Sequence, residues 1–168
     1  FEEQEEIFKL LNRLTLHIKP YRSSLVASQD YLVKIDLTAA KAKYANEVQA
    51  VMPKLNSKKE MKLIDAYHPL LYLSNKAAGN STYPQTIGMQ EDNRIIVISG
   101  PNAGGKSITL KTIGLLQLMV QSGMLIPVHE RSEVCLFEKI ITDIGDNQSI
   151  ENHLSTYSYR LKNMNYFL

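Results

Sequence analysis

The sequence predicts an α/β fold: a phosphate-binding strand–loop–helix unit with a long-helix arm ahead of it. Three observations carry this. The run Gly100-Pro101-Asn102-Ala103-Gly104-Gly105-Lys106-Ser107 has the glycine, lysine and hydroxyl spacing of a phosphate-binding loop. An apolar, β-branched run, Arg94-Ile95-Ile96-Val97-Ile98-Ser99, comes immediately before it and reads as a buried strand. A helical pattern, Ile108 to Met119, comes immediately after it. Strand, loop and helix in that order aim a helix N-terminus at the phosphates, which is the arrangement of a P-loop nucleoside-triphosphatase.

The arm comes first in the chain. Ile7, Leu10, Leu11, Leu14 and Ile18 recur at helical spacing, with Glu2, Glu3, Glu5 and Glu6 near the positive end of the helix dipole. Pro20 predicts a break or kink. A second periodic stretch, Leu25, Leu32, Ile35, Ala39, Ala42 and Ala45, predicts a second long helix. Thin apolar stripes on two long helices suit an arm that packs on something else, or an ordinary helical hairpin of a core. His17 and Asp36 read as solvated or capping groups.

Pro53, Asn56 and Ser57 mark a boundary, so residues 1–52 form the predicted arm and residues 53–168 the phosphate-binding domain. Lys58 and Lys59 are a short basic cluster on a solvated face. Met61 to Asp65 alternates like an edge strand, and His68 before Pro69 reads as a turn residue. Ser74 to Thr82, rich in Ser, Asn and Gly, predicts an exposed loop. Tyr83 to Asn93 leads into the strand before the phosphate loop; Tyr83 or Ile87 either flanks a base or simply packs.

In the loop itself, glycines let backbone N–H groups curl around phosphate oxygens with no Cβ in the way. Lys106 reaches the β- and γ-phosphates and is the expected catalytic cation, and the Ser107 hydroxyl is the expected Mg²⁺ ligand. Gly100, Pro101, Asn102, Ala103, Gly104, Gly105, Lys106 and Ser107 are thus the expected phosphate contacts. After the helix, Gly123 supplies a C-cap. Leu125 to Val128 crosses back extended, Val134 to Phe137 and Ile140 to Thr142 form short strands, and Met124 and Cys135 belong to the core. Asp143 to Thr156 is polar, and a helix starts at Ser155 or Thr156. The two hydroxyls there either cap that helix or meet a phosphate.

The totals bound the function. The chain has 168 residues, 44% hydrophobic and 21% charged, with a net charge of +2, so no strongly basic nucleic-acid footprint is present in the whole. One cysteine, Cys135, argues against a disulfide framework and fits a reducing, cytoplasmic compartment. No apolar run approaches the ~20 residues of a membrane span, so no membrane partner is expected. The acidic start without Met reads as a piece of something longer rather than a signal peptide.

The run Gly100 to Ser107, with Ile108 to Leu116 behind it, resembles the ATPase domain of the MutS family of DNA mismatch-repair proteins. Asp143-Ile144-Gly145-Asp146-Asn147-Gln148-Ser149-Ile150-Glu151 with Leu154-Ser155-Thr156 looks like the second bacterial MutS subfamily, associated with restraining recombination. His68-Pro69-Leu70-Leu71 fits too, and the arm is similar to the family's lever helices. The resemblance implies an ABC-type ATPase core that works as a homodimer on DNA, with ATP and Mg²⁺ as cofactors. It implies that Ser155 and Thr156 contact the γ-phosphate of ATP held by the partner subunit, and that Asn102 helps sense that phosphate. The family pattern continues with an apolar strand ending in Asp-Glu, which does not follow the signature helix within these residues. The core is therefore read as incomplete, binding ATP·Mg²⁺ but hydrolysing it poorly alone, with DNA contacts mostly in other parts of the parent. Three rival readings remain. An ABC ATPase of transport or chromosome organisation usually carries a Ser-Gly-Gly-Gln signature, which Leu154-Ser155-Thr156-Tyr157 is not. A P-loop kinase needs lid arginines, and after Arg131 the chain has only Arg160. A nucleotide-binding interaction domain without turnover is the third.

Overall fold

The structure is a computed structural model that describes residues 2–101 and 104–142. The chain is α/β, with a long helical N-terminal part and a small mixed sheet, and it divides into two compact units, Phe1–Lys43 and Tyr44–Leu168.

Helix α1 spans Glu2–Ile18 and α2 spans Arg22–Glu47, joined by a 3₁₀ turn at Lys19–Tyr21 that carries Pro20. The expected interruption at Pro20 is present, because proline lacks the N–H an unbroken helix requires there. Acidic residues fill the first turn of α1, and Lys9 pairs with Glu6 at 2.9 Å. The apolar stripe of α1 is exposed: Ile7, Leu10, Leu11, Leu14 and Ile18 all face solvent. Among the described residues no helix is long and apolar enough to cross a membrane.

The second unit is built on a four-stranded sheet in the order β1-β4-β2-β3. β1 is Lys54–Leu55, β2 Met61–Ala66, β3 Gln85–Met89 and β4 Glu133–Val134. β1 runs parallel to β4, and β2 runs antiparallel to both β3 and β4. The stretch expected as an edge strand is therefore central. Its alternation is real, with Met61, Leu63 and Ala66 inward, but both of its edges are paired. Between Leu63 and Ala66 the register with β3 shifts, and Asp65 takes a left-handed backbone, φ 48°. Ser132, fully buried, bridges this irregularity: its Oγ accepts from the Ile64 N–H at 3.0 Å and donates to the Ile64 carbonyl at 3.4 Å.

Three expectations fail locally. Part of the predicted loop is helix α3, Pro69–Ala77, started by proline at its first position and by His68 as N-cap. The run Arg94 to Ser99 pairs with no strand among the described residues, and Ile95 and Val97 are 77% and 85% exposed. An apolar run becomes a strand only where a ladder partner takes its N–H and C=O groups. The strand predicted from Val134 likewise shrinks to the two residues of β4, and residues 135–142 form none.

Helix α4, Lys106–Gln121, packs on the sheet. Leu116, Met119 and Val120 join Met61, Leu63, Ala66, Ile126, Val128 and Val134 in one apolar core, with Met124 packed against it. Cys135 is buried as expected. The helix ends as the sequence predicts: Gly123 sits at φ 67° and its N–H donates to the Val120 carbonyl at 2.9 Å.

Candidate phosphate-binding site

The loop ahead of α4 owes its shape to its glycines. Gly105 takes φ 81°, a backbone that any residue with a Cβ adopts at a cost, and caps α4 without a side-chain hydrogen bond. The Gly104 N–H donates to the Pro101 carbonyl at 2.9 Å, closing a tight turn. A Cβ on Gly104 would stand 3.1 Å from that carbonyl oxygen and 3.2 Å from the proline ring. Glycine is thus favoured by close backbone approach at one position and by conformation at the next.

Lys106 begins α4, and its Nζ folds back to donate to the carbonyl oxygens of Gly100 and Pro101, the latter at 2.8 Å. Thr109 fixes the first turn, its N–H and its Oγ1 both donating to the Gly105 carbonyl at 3.0 Å. No side chain caps the helix start, so none of its first N–H groups is taken by a capping side chain at the positive end of the dipole. Ser107, in the same turn, is exposed. The arrangement can hold an anion: backbone donors, an ammonium and no carboxylate in the loop. The donor set fits a nucleotide phosphate: an ammonium at the start of α4 and a helix start that no side chain caps.

Gly100, Pro101, Gly104, Gly105, Lys106 and Ser107 are brought together here. Asn102 and Ala103 of the same loop, and Ser155 and Thr156, lie outside the described residues. Among the described residues no three His, Cys, Asp or Glu side chains cluster as a metal site would require.

One feature of the neighbourhood escapes the sequence reading. His68 is the N-cap of α3, its Nδ1 accepting from the Leu71 N–H at 3.4 Å. Burial, and then the positive charge of Lys111 on α4, hold its imidazole below the usual histidine range. The signal was the His-Pro pair followed by an apolar turn, which marks a helix start as well as it marks a bend.

Comparison with known proteins adds the family. MutS domain V matches residues 96–168, which include the whole candidate loop. The chain is 47% identical to Endonuclease MutS2 of Finegoldia magna over 163 residues, 97% of this chain and 20% of that protein. Endonuclease MutS2 of Shouchella clausii is 42% identical and that of a Geobacillus strain 41%, each over the same 97% of this chain and 20% of the relative. The chain is a MutS2-like member of the MutS family. It spans about a fifth of the length of the curated relatives it matches. Within this MutS segment, the matched region begins inside the apolar run and carries through the loop and α4. The residues ahead of it, including α1, α2 and most of the sheet, are covered by the MutS2 likeness instead.

Proposed function

We propose that Gly100 to Ser107 binds the phosphates of ATP with Mg²⁺, and that the parent protein is a MutS-type ATPase. In this reading, ATP binding and hydrolysis in a homodimer are coupled to binding of mismatched or branched DNA. The observation that carries the reading is the conjunction at the start of α4: a left-handed Gly105, an uncapped helix start, and the Lys106 ammonium over the loop carbonyls.

Each residue then has a defined task. Lys106 exchanges its two carbonyl partners for phosphate oxygens, a charge-assisted contact in place of two neutral ones. Backbone N–H groups from Gly105 onward take the remaining oxygens, and Ser107 Oγ would hold the metal. Mg²⁺, when bound, would supply positive charge against the charge that develops on the phosphates. Asn102 senses the γ-phosphate, and Ser155 and Thr156 serve the nucleotide of the partner subunit. Residues 1–52 act as the lever arm and residues 53–168 as the first part of the ATPase domain. This chain by itself binds nucleotide and turns it over slowly, in a cytoplasmic setting.

The test is equilibrium Mg²⁺–ATP binding to the 168-residue chain and to Lys106→Ala. Saturable binding that the variant loses supports the reading. Equal binding by both, or binding by neither, sinks it for this chain.

A further inference from the structure

Among the described residues, three that are not glycine have left-handed backbones, and two of them line one small cavity. Gln49, φ 52°, and Asp65, φ 48°, face it, and its volume is about 310 Å³. Such conformations are costly for most residues, and their pairing at one cavity calls for an account. Tyr67 and Tyr72 form another wall, their rings edge to face with centroids 5.4 Å apart. His129 and the buried Val128 complete it.

The hydrogen-bonding inventory decides the sign of the ligand. The backbone N–H of Asp65 is taken by Thr86 Oγ1 at 3.2 Å, that of Tyr67 by the Pro127 carbonyl at 3.0 Å, and that of His129 by the Ile64 carbonyl at 2.8 Å. These main-chain donors are therefore not left for an anion. Tyr72 Oη donates to Gln49 Oε1 at 3.3 Å, and His129 Nδ1 accepts from the Arg131 N–H at 3.2 Å. The Asp65 carboxylate makes no ion pair among the described residues, and no lysine or arginine lines the cavity. Lys76 is the nearby cation. It lies 5.8 Å from the centre of the Tyr72 ring and is engaged by the Glu47 carbonyl at 3.2 Å. What remains is one carboxylate and two aromatic rings, with the Gln49 amide oxygen already accepting from Tyr72.

We propose that this cavity, at the bulge of β2 and the end of α2, receives the guanidinium of an arginine side chain from another polypeptide. A planar guanidinium donates in a fork to a carboxylate and stacks on tyrosine, and both partners are present within the one cavity. Asp65 repels phosphate-bearing ligands, so this site is separate in chemistry from the loop at Gly100 to Ser107 and stands whether or not that loop binds ATP.

The test is a titration of the ¹⁵N-labelled chain with N-acetyl-arginine N-methylamide, followed by amide shifts. The expected result is saturable shifts concentrated at Gln49, Asp65, Tyr67 and His129, with dissociation in the range of about 1–10 mM for a single side chain. Asp65→Asn keeps the left-handed backbone, which asparagine tolerates well, and should weaken binding by about fivefold or more. Tyr67→Leu, which keeps the charge and removes a ring, should weaken it as well. The neutral isostere N-acetyl-citrulline N-methylamide should give no saturable shift. Equal shifts with citrulline, no shifts with arginine, or an Asp65→Asn chain that binds as well as the original would overturn the proposal. N-acetyl-lysine N-methylamide or spermidine binding as tightly as arginine would also overturn it, because the pocket would then read charge alone.

Discussion

Gln117 Nε2 donates to the Cys135 carbonyl oxygen at 2.8 Å, joining helix α4 to the chain just beyond β4 inside the core. The same amide nitrogen reaches Gln121 Oε1 at 2.9 Å, and Gln121 in turn holds both backbone groups of Phe137. Two glutamines one turn apart thus anchor a segment that has no strand ladder of its own. Gln117→Ala removes the donor and strands the Cys135 carbonyl away from water, so it should lower stability by about 2–4 kcal/mol. Gln121→Ala, at an exposed position, should cost about 1 kcal/mol. Denaturant unfolding of the two variants checks the order; a Gln121 effect as large as that of Gln117 would contradict the burial argument.

Gly104 and Gly105 separate two requirements that a glycine pair usually confounds. Gly105→Ala meets only a backbone preference, and should cost about 1 kcal/mol of stability while leaving the turn closed. Gly104→Ala brings a methyl to 3.1 Å from the Pro101 carbonyl, so the carbonyl and the proline ring must give by a few tenths of an ångström and the turn is strained. If the loop binds Mg²⁺–ATP as proposed, Gly104→Ala should weaken binding at least tenfold, a difference of about 1.4 kcal/mol. Isothermal titration of both variants decides; unchanged affinity in Gly104→Ala would show that the tight turn is not part of the site.

His68 makes the start of α3 sensitive to acid. Its folded value is held below the ordinary histidine value of about 6.5, first by burial and then by Lys111. The unfolded chain therefore binds its proton first as pH falls. The contribution to stability is present above the unfolded value and is lost as pH drops through the folded one. Protonation at Nδ1 also removes the acceptor for the Leu71 N–H. His68→Asn keeps a capping side chain without titrating. Unfolding midpoints from pH 8 to 5 should fall more steeply for the natural chain than for His68→Asn, and parallel curves would exclude the effect.

The sequence announced the start of α4 well, because glycine, lysine and hydroxyl spacing reports a local backbone shape. Pro20 and Gly123 were legible for the same reason: each acts within its own turn. The place of β2 in the sheet was not legible. Its alternation is the same whether one edge is paired or two, and only β4, more than sixty residues later, makes it central. The run Arg94 to Ser99 shows the converse: apolar, β-branched residues state a preference, but pairing depends on a partner elsewhere. In the candidate site, the loop residues could be read directly. The tie between His68 and Lys111 could not, since it joins two residues more than forty positions apart in the chain.

Ser132 offers the strictest test of how the sheet is held at its irregular point. β2 and β4 share one paired position, Lys62 with Glu133, before the ladder stops. Two residues on, the Ile64 N–H and C=O both turn to the Ser132 side chain, which stands in for a missing strand residue. Ser132 is fully buried, so water cannot take its place without opening the core. Ser132→Ala leaves the Ile64 N–H without its acceptor; the Ile64 carbonyl keeps a partner in the His129 N–H at 2.8 Å. One orphaned buried donor costs about 1–3 kcal/mol, and the small cavity adds to it. The loss should also be local. Amide exchange at Ile64 should rise more than exchange at Leu63, whose side chain is locked in the apolar core. A Ser132→Ala chain with unchanged stability and unchanged Ile64 exchange would mean that the bulge is held by the β2–β3 pairing alone, and that the serine only fills space.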